Sequence, residues 1–337
     1  MNKIAIIKLS AMGDIIHSMV ALQFIKKQHP NIEIDWFVES VFAGILENNP
    51  HISNIFKLNL KSIKKNKKEI FTQIKLLKEF RKNNYDLVID AQGLIKSAIV
   101  TRILGKNRAG FSKNSIRREK LASVFYTQKV NIAYEKNVIE RNCKVLSEPL
   151  GFEISKDDIL QKKPFLFYKN EDKIIYEYLK SDKKNILFVV GASLDSKMYS
   201  KEKFAKIASS LDENFLILWG NEKEKEIAKF ISQNSKALIL PKIDLNSLKA
   251  LVSKANLVIG GDTGPTHIAW AFNVPSITLF GNTPAYRNTY LTSINKSLKS
   301  SSVVDPYIID KNDFSIRDID ENEVIEMAKG LLYVCEN

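Results

Sequence analysis

Two short acid-bearing stretches define the chemistry open to this chain. Late in the sequence, Asp262-Thr263-Gly264-Pro265-Thr266-His267 follows the apolar run NLVIGG. Pro265 suits the first turn of a helix and Asp262 or Thr263 its N-cap, so capping alone accounts for those residues. A helix start also offers unpaired amides and the positive end of a dipole, which together favour a pyrophosphate. Gly264 leaves room for a ligand to approach, and His267, four residues after Thr263, lies on the same helical face. Near the beginning, KLSAMGDIIHSM (residues 8–19) has a similar place at the end of IAIIKL, yet it holds one glycine, Gly13, and then Asp14. A carboxylate repels phosphate, so this turn suits a hydroxyl-bearing acceptor, with Asp14 as the general base that removes its proton. A favourable contact with the helix dipole explains Asp14 without any chemistry.

Two more loops carry suitable groups. After NILFVVG comes Ala192-Ser193-Leu194-Asp195-Ser196-Lys197, small residues ending in a cation for phosphate. After NFLILWG comes Asn221-Glu222-Lys223-Glu224, with carboxylates able to take two ribose hydroxyls. Neither GxGxxG nor GxxxxGK[ST] occurs, which argues against a hydride-transfer enzyme and a P-loop NTPase. No carboxylate cluster suggests a metal. A nucleotide held by loops of the second half, with a free acid in the first, points to group transfer from an activated nucleotide conjugate, of which nucleotide sugars are the commonest.

The elements that must position these residues alternate. Strand-like IAIIKL, IEIDWFV and DLVIDA are separated by helical patterns from Asp14 and over 68–83, with another from Gly93. After a polar stretch around 135–183 the alternation restarts with NILFVVG, NFLILWG, KALILP, NLVIGG and VPSITLF, and helices are expected from Lys201, Glu224, Leu245 and Pro265. This pattern predicts an α/β protein of two Rossmann-like, doubly wound parallel-sheet domains facing across a cleft. The expected bounds are 1–165 for an acceptor-binding domain and 166–318 for a donor-binding domain. A terminal helix over 319–337 is free to pack back on the first. In open α/β sheets ligands gather beyond the carboxyl ends of the strands, so the residues just after strands matter most.

Charge separates the two halves. Residues 1–163 hold 29 Lys and Arg against 16 Asp and Glu, and the remainder holds 22 of each, so the whole net charge of +13 lies in the first half. Its basic residues crowd KLNLKSIKKNKK (57–68), with Lys61 and Lys64 among them, and SIRREK, with Arg117 and Arg118. An anionic acceptor or membrane surface fits this asymmetry best; a basic nucleic-acid-binding protein is a further alternative, without a recognised motif and with little aromatic interleaving. No run reaches the ~18 apolar residues of a membrane span, and the first apolar run is too short for a signal peptide, so a cytoplasmic location is expected. Cys143 and Cys335 are too few for a disulfide framework and are expected to be reduced.

SAMGD, FVES (37–40), DAQGLIKSA (90–98), LASVFY (121–126) and GGDTGPTHIAWA (260–271) together resemble, in order and over essentially the whole chain, the lipopolysaccharide heptosyltransferases. The resemblance implies a GT-B glycosyltransferase that needs no cofactor. It moves L-glycero-D-manno-heptose from ADP-heptose, with inversion, to the first Kdo of Kdo2-lipid A. It also implies a peripheral enzyme on the anionic cytoplasmic face of the inner membrane. By the same resemblance Asp14 is the catalytic base. Ala192, Ser193, Lys197, Glu224, Ile243, Asp262, Thr263, Gly264 and His267 hold the donor, Ile243 meeting adenine through its backbone. Ser10, Gly13, Gln92, Lys61, Lys64, Arg117 and Arg118 serve the acceptor. The chain departs from the family at Ala192-Ser193, where paired threonines are usual, and in 57–68, where lysines replace arginines. A family member with another acceptor, such as the enzyme adding the second heptose, is the nearest alternative, and DAQGLIKSA favours the first. A non-catalytic nucleotide-sugar or lipid-binding protein is an alternative of another class. No oligomeric state is implied.

Overall fold

The computed structural model describes residues 1–64 and 66–333, excepting the Lys64 side chain; Lys65 and Cys335 lie outside the described residues. The chain divides into two compact units, Met1–Phe165 and Leu166–Asn337. The first runs β1 (Lys3–Ile7), α1 (Met12–Met19), α2 (Ala21–Gln28), β2 (Glu33–Glu39), β3 (Asn54–Leu58), α3 (Glu69–Phe80), β4 (Leu87–Asp90), α4 (Ile95–Leu104), β5 (Arg108–Phe111), β6 (Gln128–Val130), α5 (Val138–Ser147) and α6 (Lys156–Leu160). The second runs β7 (Asn185–Val189), α7 (Lys201–Ser210), β8 (Asn214–Leu218), α8 (Glu222–Gln233), β9 (Leu238–Ile239), α9 (Leu245–Ser253), β10 (Leu257–Gly261), α10 (Gly264–Phe272), β11 (Ser276–Phe280), α11 (Ala285–Asn288), β12 (Asn295–Lys299) and α12 (Glu321–Tyr333).

Each unit holds a six-stranded parallel sheet, ordered β3-β2-β1-β4-β5-β6 in one and β12-β11-β10-β7-β8-β9 in the other. Counted from its own first strand, each has the same Rossmann order. The order reverses between β1 and β4 in the first sheet and between β7 and β10 in the second. Ile6 pairs with Trp36 on one side and Ile89 on the other, and Ile259 with Phe188 and Ile277. These central strands are buried on both faces, which is why they read as continuous apolar runs. Strands β3, β5, β6 and β12, by contrast, have sequences NIFKL, RAGF, QKV and NKSLK without such a run. They lie toward the sheet margins, where one face and an edge are less demanding. Part of the expected charge run is therefore strand: Lys57 lies in β3 and pairs with Glu47 at 3.0 Å.

The first unit packs Phe37 against Phe56, Phe80 and Tyr85 over β1 and β4. In the second, Phe188 contacts Phe204 and Phe215 with ring centroids 4.7 and 5.0 Å apart. The terminal helix α12 belongs to the second unit. Val324, Ile325 and Ala328 join the core of the second, and α12 contacts α7, β10 and β11. Its apolar stripe matches the face that α7 leaves open. Cys143 is fully buried, and burial pushes its thiol up, away from reactive thiolate. Among the described residues no helix is long and apolar enough to cross a membrane.

Candidate active site

The second unit builds its site at the reversal point, between the turns after β7 and β10. Three helices that follow its strands are capped by side chains: Ser200 accepts from the Lys203 amide on α7, Asn221 from the Glu224 amide on α8, and Asp244 from the Ser247 amide on α9. At α10 the N-cap is Thr263, and its side chain makes no such bond. Asp262 does not take those amides either, because its carboxylate is occupied elsewhere. Lys197 Nζ lies 2.8 Å from Oδ2, which also accepts from Thr283 Oγ1 at 3.0 Å and Asn288 Nδ2 at 3.1 Å. His267 Nε2 lies 3.1 Å from Oδ1. Burial alone would raise the Asp262 carboxyl, but the Lys197 ammonium and the His267 ring outweigh it and hold it well below the usual carboxylate range. The start of α10 thus has no side-chain cap from Thr263 and stands beside a cation whose orientation is fixed.

Close backbone approach makes this possible. A Cβ on Gly261 would stand 2.7 Å from the Lys197 carbonyl, so only glycine lets the loop after β7 lie against β10. A Cβ on Gly191 would collide with the Glu224 carboxylate. That carboxylate therefore sits directly over the chain leading into Ala192 and Ser193. It also accepts from the Gly220 amide at 2.6 Å and from Asn221 Nδ2 at 2.7 Å, so Glu224 is held by its own turn. Lys223 and Asp195 tie the two loops together at 2.6 Å. Ile243 lies partly buried in the turn between β9 and α9.

The first unit gathers a different set at its own reversal point. Asp14 is the third residue of α1, and its Oδ2 lies 3.3 Å from the Ala11 amide. Ser10 and Gly13 belong to the same turn, and Gln92, after β4, fixes it: Gln92 Oε1 accepts from both the Leu9 and Ser10 amides at 3.0 Å. Gln92 is held in turn by buried Asp90, whose Oδ1 accepts from the Gln92 and Gly93 amides and whose Oδ2 accepts from Tyr126 Oη at 2.7 Å. Burial raises the Asp90 carboxyl more than these neutral donors lower it. His17 is buried in α1. Lys96, the second residue of α4, stands 3.9 Å from Glu39 at the end of β2.

Lys61 lies over the Phe42 ring at 5.2 Å, and Arg117 lies 6.0 Å from the centre of the Tyr134 ring, while Arg118 is exposed. The Lys64 side chain is outside the described residues. The sequence pattern also overlooked Thr283 and Asn288. Both follow β11, and the same attention to post-strand turns that singled out Asp262 would have reached GNTPAYRN. Among the described residues no cluster of three or more His, Cys, Asp or Glu is placed to hold a metal ion.

Comparison with known proteins adds an independent line. The family described as glycosyltransferase family 9 (heptosyltransferase) matches residues 73–305. Lipopolysaccharide heptosyltransferase 1 of Campylobacter coli is 43% identical over 98% of each chain. The Escherichia coli K12 protein of that name is 29% identical over 83% of this chain and 88% of its own. Among solved structures, E. coli heptosyltransferase WaaC with ADP-2-deoxy-2-fluoro heptose superposes with a TM-score of 0.77 at 25% identity, covering 97% of this chain and 99% of that one.

Proposed function

We infer the reaction from the premise that this chain belongs to glycosyltransferase family 9, the heptosyltransferases. It is a lipopolysaccharide heptosyltransferase that transfers heptose from ADP-heptose in core synthesis. The observation that carries this reading is the 43% identity extending over both units.

The acceptor is the first Kdo of Kdo2-lipid A, met at the cytoplasmic face of the inner membrane. ADP-heptose is held by the second unit, with its ribose at Glu224, its adenine along Ile243 and its pyrophosphate at Thr263, Gly264 and Lys197. Asp262 and His267 keep Lys197 in place, and the loop at Ala192 and Ser193 closes the phosphate side through backbone amides. Asp14, supported by Ser10, Gly13 and Gln92, takes the proton of the Kdo hydroxyl. The oxygen then attacks the anomeric carbon from the face opposite ADP. A new glycosidic C–O bond forms with inversion as the bond to the β-phosphate breaks, and ADP leaves with the electron pair. Lys197 and the α10 amides stabilise the charge that collects on the departing phosphate. The lysines and arginines of the first unit, Lys61, Lys64, Arg117 and Arg118, draw in the anionic acceptor. The 29:16 excess of basic over acidic residues in the first half supports that role.

Incubating the protein with ADP-heptose and Kdo2-lipid A and identifying the product by mass tests the assignment. One added heptose and free ADP are expected. Transfer only to an acceptor that already bears heptose would assign the chain to the second addition, and donor binding without transfer to any acceptor would make it a binding protein.

A further inference from the structure

The first unit carries an exposed apolar patch that the transfer reaction does not use. On α4 the outward face runs Ile95, Ile99, Arg102, and the two isoleucines are 36% and 44% exposed. In the 3₁₀ helix Lys120–Phe125, Leu121 and Val124 stand one turn apart at 68% and 66% exposure. This 3₁₀ helix packs against α4, and Glu119, just before it, accepts the Ile95 amide at 2.6 Å. The four aliphatic side chains therefore sit on two adjoining elements. The chain that carries them is one-sided in charge: residues 91–130 contain nine Lys and Arg, of which Arg108 is buried while Arg102, Lys106 and Lys120 are exposed, and a single acid, Glu119, the one already bonded to Ile95. Isolated surface aliphatics are ordinary, but a cluster carried by a cationic stretch of chain marks a contact surface. A second copy of this chain meeting it face to face would oppose like charges. An anionic bilayer offers phosphates for the cations and an apolar interior for the patch.

We propose that the face made by α4 and the 3₁₀ helix Lys120–Phe125 docks on an anionic lipid bilayer. Arg102, Lys106 and Lys120 meet headgroup phosphates while Leu121, Val124, Ile95 and Ile99 enter the acyl boundary. The proposal rests on the reading that the acceptor is lipid-borne and gives it a mechanism of approach. Gln92, which holds the turn bearing Asp14, lies three residues before Ile95 in the chain leading into α4. Anchoring and acceptor turn are thus built on one short segment.

Flotation of the full chain with vesicles tests this. Vesicles of phosphatidylethanolamine and phosphatidylglycerol should carry the wild type, more weakly as salt rises, and phosphatidylcholine vesicles should not. Leu121→Asp with Val124→Asp should weaken binding to the anionic vesicles ~10-fold or more, and Arg102→Glu with Lys106→Glu should do likewise. Both variants should melt like wild type by circular dichroism and keep turnover within about twofold on an acceptor saccharide stripped of acyl chains. Undiminished vesicle binding by the aspartate variant overturns the proposal. So does a wild-type dimer that the aspartate variant splits, since the patch then belongs to a second copy. If no acceptor is heptosylated but the variant still loses vesicle binding, the reaction assignment falls and the docking surface stands.

Discussion

The two sheets have the same strand order and each sets an acid-bearing turn at the same reversal point, yet the surroundings of the two acids differ. In the second unit Asp262 is surrounded by Lys197, His267, Thr283 and Asn288, so it serves as a fixed anion that orients a cation. In the first unit the Asp14 carboxylate makes one long backbone contact among the described residues, and the buried work of holding the turn falls to Asp90 through Gln92. A carboxylate left with few partners is available to take a proton; one saturated by partners is not. The two buried acids differ in the same way. Neutral donors leave Asp90 raised by burial, whereas a cation drives Asp262 down. Fold equivalence therefore says where chemistry can happen, and the neighbours of each acid decide which chemistry.

The largest effect expected from breaking this contrast is at Asp14. Asp14→Asn should lower turnover by at least ~10²-fold while leaving ADP affinity unchanged, read by single-turnover transfer and calorimetric titration. Near-normal turnover would remove Asp14 from the role of base. Next is Lys197→Met, which should weaken ADP binding ~10- to 100-fold by removing a charge-assisted contact. It also strands the Asp262 carboxylate and should cost about 3 kcal/mol of stability. Adding Asp262→Asn should restore much of that stability in thermal melts without restoring ADP binding, separating the ion pair's structural role from the ligand's need for the cation.

Gln92→Ala tests the support of the first turn. Losing the acceptor for the Leu9 and Ser10 amides should lower kcat ~10-fold, about 1–2 kcal/mol, with ADP affinity intact. Equal loss of donor binding would mean that the two sites are not separable as described. Glu224→Gln keeps a polar acceptor for the Gly220 amide and should raise the Kd for ADP only a few-fold, by ~1 kcal/mol.

The smallest effect is a pair of pH slopes. The folded carboxyl of Asp262 is depressed, so its stabilising contribution is complete above the ordinary carboxylate pKa of ~4 and is lost as pH falls below it toward the folded value. The stability gap between wild type and Asp262→Asn should therefore shrink on acidification below ~4. Asp90 is raised, so its ionisation disfavours the native state as pH climbs through and above ~4. The gap between wild type and Asp90→Asn should shrink in the opposite direction. Melts across the acid range check both, and parallel slopes would erase the distinction between the two acids.

Much of this was legible in the residue pattern because it depends on local rules. Apolar runs such as NILFVVG and NLVIGG mark strands buried on both faces, and glycine, proline and capping residues mark the turns that follow them. Short strands such as RAGF and QKV escaped because a strand of three or four residues near a sheet margin owes its existence to its neighbour rather than to its own composition. Glu224 was recognised as a ribose candidate, but its grip on Gly220 and Asn221 and its place over Gly191 came only from folding.

By itself the sequence determined the two-sheet architecture, the turns that bear chemistry, and the concentration of positive charge in one half, since each follows from periodicity or composition along the chain. Only the tertiary structure decided which acid is enclosed by partners and which keeps a single long contact among the described residues. Lys197 and Asp262 are 65 residues apart in the chain. Thr283 comes from the turn after β11 and Asn288 from the end of α11, and no local rule relates such distant positions. It likewise decided that Leu121 and Val124 lie beside Ile95 and Ile99, turning scattered aliphatics into a surface. Strand pairing brings distant turns to one end of a sheet, and electrostatics falls too steeply with distance for an acid's role to be known before its neighbours are in place.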